Sequence, residues 1–458
     1  MNVTRDRKRQ KGFVLMFSGL MLTFIIIPTV GLAIDVGVVY AIKAKLQTAV
    51  DGAALAAARG LSRGLTLSSQ DAAAAATAQR FFQANVYNGY LGMSNPQAQI
   101  TFPPAPPKTK IIDITAEVQA PTYFMRILGV NSLRVTAVGS ATRRDVNIVM
   151  VVDRSNSLDT AGACDDLRES AKAFVEAFVD GRDRIGLITF GTSYRVDFAP
   201  AMNFRTANPN VITHINNLNC AGWTNSAAAY WEGYQRLRAI NEPGTLNVLL
   251  FFTDGQPNTI TLDLEVIPGR CGGNNTLRRG VLAPGNAGSG LYQIIASTAP
   301  PVPDPDTTVA SSMSGCAAAS NPSNVESDLR MRTGTSNEVD VNGNSFNGYK
   351  TPVRRSSGRI RINDEETIEN IGINALDNAA QRVRSESATN GLEVVTYCIG
   401  LGGPGQAEDR LLQRIANVPE SDIYDPTKPR GMYIYAENAS QLQMAFASLA
   451  SDILRISR

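Results

Sequence analysis

Apolar and polar positions follow three different patterns along the chain. Residues 13–34 contain no charged side chain, and a run of this length can cross the hydrocarbon core of a bilayer as one helix. Residues 35–143 combine Ala-rich stretches of helical period with short stretches that alternate between apolar and polar side chains. From residue 144 onward, short apolar runs alternate with amphipathic segments, which is typical of an α/β domain with helices on both faces of a sheet.

The segment before the apolar run, residues 1–12, is basic. Its cationic side chains are Arg5, Arg7, Lys8, Arg9 and Lys11. Cationic residues beside a membrane helix favour the cytoplasmic side, so the pattern predicts a cytoplasmic segment 1–12, a single-pass anchor 13–34 and an extracytoplasmic remainder. The alternative is a cleaved signal peptide, with Gly31-Leu-Ala33 as a small-residue cleavage site and a helix-breaking Pro28 before it. The apolar run exceeds the ~7–15 residues of a signal core, which favours the anchor.

Residues 35–143 predict a small helical and α+β module without chemistry of its own. A first Ala-rich helix would end at Gly60, and a second would begin with a capping box at residues 68–71 and end near Asn85. The first helix has a stripe of mostly small side chains, which would let another helix approach closely. The stripe comprises Leu46, Ala49, Val50, Ala53 and Ala57.

Two alternating stretches in the same module, residues 111–118 and 133–138, predict half-buried strands. The prolines of residues 103–107 predict a rigid turn or linker before them.

Residues 144–458 predict a doubly wound, mostly parallel sheet. The apolar runs that predict its strands are 146–152, 184–190, 194–198, 246–252, 393–399 and 432–435. The segments that predict helices are 165–178, 207–218, 226–240, 364–386, 407–415 and 441–456. We expect the strand order 3-2-1-4-5-6, with the third strand a short antiparallel edge. Ligands would then bind at the switch point between the first and fourth strands.

Residues 256–361 interrupt this alternation with a long stretch rich in Gly, Pro, Asn and Ser. A structureless loop of this length is uncommon inside a compact domain. We expect a partly ordered surface excursion that could recognise a partner, with a disordered spacer as the alternative. Residues 340–344 resemble the start of a Ca²⁺ loop. Ser345 and Thr351 stand where that loop needs Gly and Glu, so the pattern favours a polar turn.

Composition argues against several classes of function. A formal charge of +2 gives no strong positive electrostatic potential of the kind that attracts nucleic acid. The single histidine, His214, has no serine near it in the context of a catalytic nucleophile. Five widely spaced cysteines without a Cys-x-x-Cys pair argue against a zinc site, and no Gly-Lys-Ser/Thr phosphate loop occurs. We therefore expect a binding protein and not an enzyme.

Oxygen-bearing side chains follow the first and fourth predicted strands, with one more between them. They are Asp153, Ser155 and Ser157 after the first strand, Thr224 at the start of a helix, and Asp254 after the fourth strand. Because the carboxyl ends of these strands meet at the same edge of the sheet, the side chains can converge there. Carboxylate and hydroxyl oxygens suit Mg²⁺, with Mn²⁺ or Ca²⁺ as alternatives.

The pattern Asp-x-Ser-x-Ser at 153–157, then Thr224, then Thr-Asp-Gly at 253–255 resembles the metal-ion-dependent adhesion site of von Willebrand factor type A domains. Asp153 and the three hydroxyls would hold the ion, and Asp254 would act directly or through water. Neutral hydroxyls leave the ion positive with one position open. A protein partner would fill that position with an Asp or Glu carboxylate.

The N-terminal region resembles a second family. Residues 33–37, Tyr40, 46–47 and 49–57 are similar to the start of TadE/TadG-like proteins of bacterial Flp (tight adherence) pilus assembly, closely over about 60 residues and weakly to about residue 142. TadG-like members often carry a von Willebrand type A region downstream. The resemblance implies a bacterial inner-membrane protein with a periplasmic or extracellular main domain. Its partner would be a pilus-assembly component or surface protein.

Three other features bear on these expectations. Gly12-Phe13 resembles a prepilin cleavage junction, but Phe17 stands where pilins need Glu, so prepilin processing is not expected. A fibre component, with the Ala-rich helix packed into a filament, is the alternative function. Residues 400–405 fit Gly-x-Gly-x-x-Gly, but they do not follow the first strand of the unit, so a nucleotide-binding enzyme is the weaker alternative.

The cysteines fit the same arrangement. If the loops at 153 and 224 converge, Cys164 and Cys220 would come within the ~4.4–6.8 Å that a disulfide requires, in a compartment that permits one. Cys271 and Cys316 could pair within the insertion. Cys398, inside an apolar strand, is expected to be a buried free thiol.

Overall fold

A computed structural model of the chain describes residues 7–64, 66–105, 108–242, 245–270, 277–283, 290–292, 325–334, 336–402 and 407–456. The chain divides into two compact units, Met1–Arg143 and Arg144–Arg458.

The first unit begins with one long helix. It consists of α1 (Arg7–Met21), a π-helical segment (Leu22–Ile26) and α2 (Ile27–Gly60). Its N-terminal part is long and apolar enough to cross a membrane, and the apolar side chains there are exposed. Proline lacks an N–H and its ring crowds the preceding turn, and the wider π turn just before Pro28 accommodates it. The helix therefore does not end at Pro28, as the signal-peptide alternative supposed.

Gly60 is the last residue of α2, but it does not have the conformation predicted for a C′ glycine. Its φ is −64°, which is helical, and a 3₁₀ turn (Leu61–Arg63) follows it. A Cβ at position 60 would lie 2.8 Å from the Thr77 hydroxyl, and one at Gly52 would lie 2.5 Å from the Phe81 ring. Close packing of α3 (Leu67–Asn85) on α2 thus explains glycine at position 60, where a Cβ would also lie 3.1 Å from the Ala74 Cα, and the Phe81 ring occupies the space beside Gly52. The small-residue stripe is buried, at Leu46, Ala49, Val50, Ala53 and Ala57.

The start of α3 corrects a second detail. Its N-cap is Thr66, whose hydroxyl accepts the N–H of Ser69 at 3.3 Å, while the Ser69 hydroxyl accepts the N–H of Thr66 at 2.9 Å. This reciprocal pair is a capping box. The predicted capping box at residues 68–71 is therefore two residues late, because the extended Thr66 already supplies the cap.

Three strands complete the first unit, in the sheet order β1-β2-β3. They are β1 (Ser94–Thr101), β2 (Thr109–Pro121) and β3 (Ser132–Arg144). The strands β2 and β3 were predicted. The strand β1, which pairs antiparallel with β2, was missed because its Ser, Asn, Pro and Gln residues are not typical of strands. A 3₁₀ turn, Met125–Leu128, lies in the connection from β2 to β3.

The second unit contains ten strands and eight α-helices in its described part. The strands are β4 (Val146–Asp153), β5 (Arg184–Phe190), β6 (Tyr194–Ala201), β7 (Leu246–Thr253), β8 (Ile260–Val266), β9 (Leu277–Ala283), β10 (Gly290–Tyr292), β11 (Leu329–Arg330), β12 (Val395–Leu401) and β13 (Met432–Ala436). The helices are α4 (Asn156–Thr160), α5 (Cys164–Glu176), α6 (Val211–Asn216), α7 (Ser226–Ile240), α8 (Val325–Asp328), α9 (Glu365–Thr389), α10 (Asp409–Ala416) and α11 (Leu442–Ile456).

The main sheet has the order β13-β12-β7-β4-β5-β6. Counted along the chain from β4, this is the predicted order 3-2-1-4-5-6, and the edge strand β6 is antiparallel to β5 as predicted. Alternate side chains of β4 face opposite sides: Val149 and Val151 pack in the core with α7 and α9, whereas Ile148 and Met150 pack with α5 and α11. The doubly wound α/β fold is confirmed.

The insertion at residues 256–361 is more ordered than expected. The strands β8 to β11 form a second, antiparallel sheet with the order β10-β9-β8-β11. Leu262, Leu264 and Phe346 are fully buried in the core that contains α7 and α9. In its described part the insertion is therefore neither a spacer nor only a surface excursion. The polar turn at residues 340–344 is confirmed, with the Asp340 carboxylate accepting two backbone N–H groups.

Candidate functional site

The central parallel strands β4 and β7 place the two aspartates of the predicted site. Val152 of β4 pairs with Phe252 of β7, so Asp153 and Asp254 leave the sheet at the same edge. The Asp153 carboxylate accepts the N–H of Ser155 at 2.8 Å through Oδ1 and the hydroxyl of Thr253 at 2.6 Å through Oδ2. The end of β4 is thereby fixed to the end of β7.

The two serines join the aspartates. Ser155 Oγ lies 3.0 Å from Ser157 Oγ and donates a hydrogen bond of 3.2 Å to Asp254 Oδ1. Asp153, Ser155 and Asp254 are buried, whereas Ser157 is exposed. The structure therefore brings four of the five predicted residues into one connected cluster that opens to solvent on the Ser157 side.

Backbone hydrogen bonds hold Thr224 at the same edge of the sheet. Its N–H donates to Asn258 Oδ1 at 2.8 Å, and the Asn258 N–H donates back to the Thr224 carbonyl at 3.2 Å. In the same loop, the Gly222 carbonyl accepts the N–H of Asn156 at 3.0 Å. The Thr224 loop is thus hydrogen-bonded to both the loop after β4 and the loop after β7, and Thr224 itself is buried.

A disulfide braces two of these three loops. Cys164, at the start of α5, is bonded to Cys220, just before the Thr224 loop, with their Cα atoms 6.2 Å apart. This confirms the pairing expected from loop convergence. Cys398 is buried and free, as predicted. Cys271 and Cys316 lie outside the described residues.

The electrostatics of the cluster favour a bound positive charge. Burial and the neighbouring Asp254 raise the pKa of Asp153 to about 7, although the hydrogen bonds from Thr253 and Ser155 partly oppose the shift. Burial also raises the pKa of Asp254, again opposed by hydrogen bonds from the two serines. Two buried carboxylates near each other repel when both are ionised. A cation between them would remove that repulsion.

The donor set fits a hard divalent ion. All the candidate ligands carry oxygen, which suits Mg²⁺, Mn²⁺ or Ca²⁺ and not a thiolate-preferring metal. Within the described residues, no group of three or more His, Cys, Asp and Glu side chains could hold a metal. A cation here would therefore need neutral oxygen ligands beside the two carboxylates, such as the hydroxyls of Ser155 and Ser157.

Two supporting residues were not identified as such from the sequence. Thr253 orients Asp153 through its hydroxyl, and Asn258 links the Thr224 loop to the loop after β7. The sequence did contain a signal for the role of Thr253. A hydroxyl residue at the end of an apolar strand can reach the end of the neighbouring parallel strand, where Asp153 lies. Nothing in the sequence pairs Asn258 with Thr224, since the two are in separate loops.

In the Gly-rich segment at residues 400–405, close packing explains why the first residue is glycine. Gly400 lies in β12, where a Cβ would come within 2.8 Å of Leu412 on α10 and 3.1 Å of the Tyr433 hydroxyl. Residues 403–406 lie outside the described part of the chain. Close packing of α10 on β12 is sufficient reason for glycine at position 400.

Three family matches cover successive parts of the chain. Residues 12–60 match the Flp pilus-assembly TadE/G-like family, and residues 56–141 match the Tad-like Flp pilus-assembly family. Residues 147–299 match the von Willebrand factor type A domain. No curated protein matches the chain.

Several solved structures are similar at low identity. The PilB minor pilin from Streptococcus sanguinis is 15% identical, with a TM-score of 0.36 over 80% of each chain. The pilus adhesin SpaC from Lactobacillus rhamnosus GG is 15% identical, with a TM-score of 0.38 over 79% of this chain and 34% of SpaC. The vWF domain of the type V pili tip protein Mfa5 from Porphyromonas gingivalis is 14% identical, with a TM-score of 0.34 over 69% of this chain and 98% of that domain.

The three matched regions agree with the sequence patterns. The two Tad regions and the type A domain occur in the order that the sequence patterns predicted. The chain therefore contains Tad-like regions of Flp pilus assembly at residues 12–141, and a von Willebrand factor type A domain follows them at residues 147–299.

Proposed function

We propose that this protein is a membrane-anchored binding component of Flp pilus assembly that recognises a carboxylate of a protein partner through a divalent cation. The observation that supports this most directly is the cluster at the edge of the main sheet. There Ser155 contacts both Ser157 and Asp254, and Asp153 is tied to the strand that precedes Asp254. A binding role, and not catalysis, agrees with the pilus-assembly families that the chain matches.

In this proposal Asp153, Ser155, Ser157 and Thr224 hold Mg²⁺, with Mn²⁺ or Ca²⁺ able to replace it. Asp254 supports the ion directly or through its hydrogen bond to Ser155. Because the hydroxyls are neutral, they do not cancel the charge of the ion, and a carboxylate from outside gains a strong contact. The exposed side of the cluster, at Ser157, is where a partner's Asp or Glu would approach.

We further propose that residues 13–34 anchor the chain in the bacterial inner membrane with residues 1–12 in the cytoplasm. The long apolar helix and the basic residues before it support this orientation. The second unit would then face the periplasm or the exterior, where the Cys164–Cys220 disulfide can persist.

A fibre component remains the alternative function. The face of α2 that was expected to pack in a filament, including Ala53 and Ala57, is already buried within the first unit. A filament contact would therefore need another surface. Recovery of the protein in sheared fibres, and not in the cell envelope, would favour this alternative.

The metal role is tested by thermal unfolding of the full chain in detergent, with Mg²⁺ or with chelator. The two tryptophans of the sequence, Trp223 and Trp231, both lie in the second unit, so their fluorescence reports on that unit alone. We expect Mg²⁺ to raise the unfolding temperature of the unaltered chain. Ser155→Ala should abolish that increase, together with Mg²⁺-dependent capture of envelope proteins.

Ser170→Ala is the matched control. Ser170 is buried like Ser155, but it lies on α5 and its hydroxyl donates to the Asp166 carbonyl. This variant should keep the full Mg²⁺-dependent increase whatever its own stability. If Ser155→Ala responds to Mg²⁺ as strongly as Ser170→Ala does, the cation site is not where we propose it.

A further inference from the structure

A short apolar loop projects from the first unit beside the proposed membrane helix. We name residues 123–128, in the connection from β2 to β3, the interfacial loop. Ile127 and Leu128 have 81% and 82% of their surfaces exposed, and Tyr123 has 48% exposed. Two adjacent aliphatic side chains with so little cover are unusual on a surface that faces only water.

A buried carboxylate holds the interfacial loop against the helix. Asp35 is completely buried and accepts three consecutive backbone N–H groups, from Tyr123 at 2.7 Å, Phe124 at 3.0 Å and Met125 at 2.7 Å. These donors are at the start of the 3₁₀ turn, where backbone N–H groups lack partners of their own. Asp35 therefore fixes both the position and the direction of the loop.

A second contact lies one helical turn nearer the N-terminus. Gly31 is buried, and a Cβ added there would come within 2.4 Å of the Phe124 ring. Positions 31 and 35 face the same side of the helix. The ring therefore rests on the last turn of the apolar run, and only glycine allows this approach.

The loop is ordered by its own backbone as well. The Val130 N–H donates to the Met125 carbonyl at 3.2 Å, and the Thr122 N–H donates to the Asn131 carbonyl at 3.2 Å. Gly129 has a φ of 86°, which favours glycine at the exit of the turn. Ile127 and Leu128 are thus presented on a closed turn.

The level of the loop matches the surface of a bilayer. The run 13–34 would span about 33 Å as a helix, close to the ~30 Å thickness of a hydrocarbon core. Asp35 would then lie at the headgroup level. Tyr40, about 7.5 Å farther along the helix, is 74% exposed, and tyrosines are enriched at the membrane–water interface. The exposed Arg126 can extend its guanidinium to lipid phosphates while its neighbours enter the apolar layer.

We propose that the interfacial loop inserts Ile127 and Leu128 into the outer leaflet of the membrane that the helix crosses. The occupant of this apolar surface is lipid, because Asp35 and Gly31 hold the loop at the end of the apolar run, whose side chains there, Val30 and Ile34, are exposed. This inference rests on the proposed membrane anchor. It assigns the first unit a second membrane contact, made by a segment almost 90 residues later in the chain than Asp35.

The test uses the full chain in phosphatidylcholine vesicles, with one cysteine labelled by an environment-sensitive fluorophore. Cys271, Cys316 and Cys398 are replaced by serine or alanine, and the Cys164–Cys220 disulfide is kept. Labels are placed by Ile127→Cys or Leu128→Cys, and lipids carry a spin-label quencher either near the headgroup or near the chain end. We expect blue-shifted emission that loses most of its intensity to the shallow quencher and less to the deep one.

Two further labels separate this inference from the anchor itself. Phe24→Cys, at an exposed position in the middle of the apolar run, should be quenched most by the deep quencher. Val138→Cys is the matched control, because Val138 is apolar and 60% exposed but lies beside Gln47, about 18 Å farther along the helix than Asp35. It should keep its intensity with both lipids.

Each outcome decides the question. Quenching at Phe24 without quenching at 127 and 128 overturns the loop insertion and leaves the anchor. Absence of quenching at Phe24 overturns both. A blue shift at 127 that lipid quenchers do not affect would mean that a protein, such as a second copy, covers the loop.

Asp35 is the positioning residue in this arrangement. Asp35→Ala removes the acceptor of three N–H groups, so the label at 127 should lose most of its lipid quenching while the label at Phe24 keeps its own. Asp35→Asn retains one acceptor oxygen and should give an intermediate value. Equal quenching at 127 in all three proteins would overturn the role of Asp35.

Discussion

Asp35 and Asp153 are both completely buried carboxylates at the ends of apolar elements, yet their surroundings differ in charge. At Asp35, burial raises the pKa, but three backbone N–H groups outweigh it and leave the pKa below its ordinary value. At Asp153, burial and the nearby Asp254 raise the pKa to about 7 despite hydrogen bonds from Thr253 and Ser155.

The comparison shows that burial alone does not indicate what an acidic residue does. A buried carboxylate that receives enough donors is a stable anion, and it can fix a loop in place. A buried carboxylate that faces another carboxylate lacks positive charge, and it suits a cation. The partners of the oxygens, and not their exposure, separate the structural region around Asp35 from the candidate binding region around Asp153.

Removing the disulfide should produce the largest effect, and only in the Asp153 region. Replacing Cys164 and Cys220 by serine opens a cross-link between residues 56 positions apart, which should lower the free energy of unfolding by about 4 kcal/mol. Denaturant unfolding followed by tryptophan fluorescence measures this change. Cys398→Ala, which removes a cysteine but no cross-link, is the control. Unchanged stability of the double variant would mean that the bridge does not brace the loops.

Asp153→Asn and Asp35→Asn should differ in how Mg²⁺ changes their stability. With Mg²⁺ at about 100 times its dissociation constant, binding should add about 2.7 kcal/mol to the stability of the second unit, and this variant should lose that gain. Without Mg²⁺ its stability should be equal or higher, because the repulsion with Asp254 is gone. Asp35→Asn should leave the Mg²⁺ response unchanged. A normal response in Asp153→Asn would contradict the assignment.

The two regions should respond to pH in opposite directions. The pKa of Asp153 is raised by folding, so its contribution to stability is present below pH ~4 and is lost as the pH rises toward 7. The slope is at most about 1.4 kcal/mol per pH unit for one group. Chelator-treated protein should therefore show a less stable second unit at pH 7 than at pH 5, measured by tryptophan fluorescence. Asp153→Asn should reduce the difference without removing it, because burial also raises the pKa of Asp254.

The pKa of Asp35 is lowered by folding, so its contribution is present at neutral pH and is lost as the pH falls below its ordinary pKa. Hydrogen exchange at the Tyr123 and Met125 amides should accelerate, relative to the intrinsic rate, only under acidic conditions. If protection of these amides from exchange weakened as the pH rose toward 7, the predicted lowering of the Asp35 pKa would be wrong.

Ser157→Ala should produce the smallest effect. Ser157 is exposed and supplies one neutral oxygen, so its loss should cost about 1 kcal/mol, or roughly fivefold in Mg²⁺ affinity. Titration calorimetry with Mg²⁺ measures it. Thr160→Ala, which removes an exposed hydroxyl from the same short helix, should leave the affinity unchanged. A loss as large as that of Asp153→Asn would show that Ser157 does more than donate one ligand.

The main sheet was predictable because its signals are local and strong. Continuous apolar runs such as residues 146–152 and 246–252 are typical of buried parallel strands. Because these strands alternate with helices, only a few strand orders are compatible with the sequence. The position of the aspartates after those strands then follows from the strand order. The same convergence of loops predicted the Cys164–Cys220 bridge.

Other features depend on contacts between segments distant in the chain. Glycine at position 60 is explained by the close approach of α3, and the order of the insertion follows from burial of residues such as Phe346 against the main domain. The partners of Asp35 were likewise unpredictable, because Tyr123 to Met125 carry no side-chain signal for backbone donors. Each is a tertiary effect that composition and periodicity do not record.

The unbroken α2 also has a mechanical consequence. From Asp35 to Gly60 it extends about 40 Å as one rigid rod. Membrane helices tilt by about 20° on average, and such a tilt would swing the Gly60 end sideways by about 13 Å. The proposed membrane contact at Ile127 and Leu128, on one side of the helix, would resist tilting toward that side and so limit the directions in which the helix leans from the membrane.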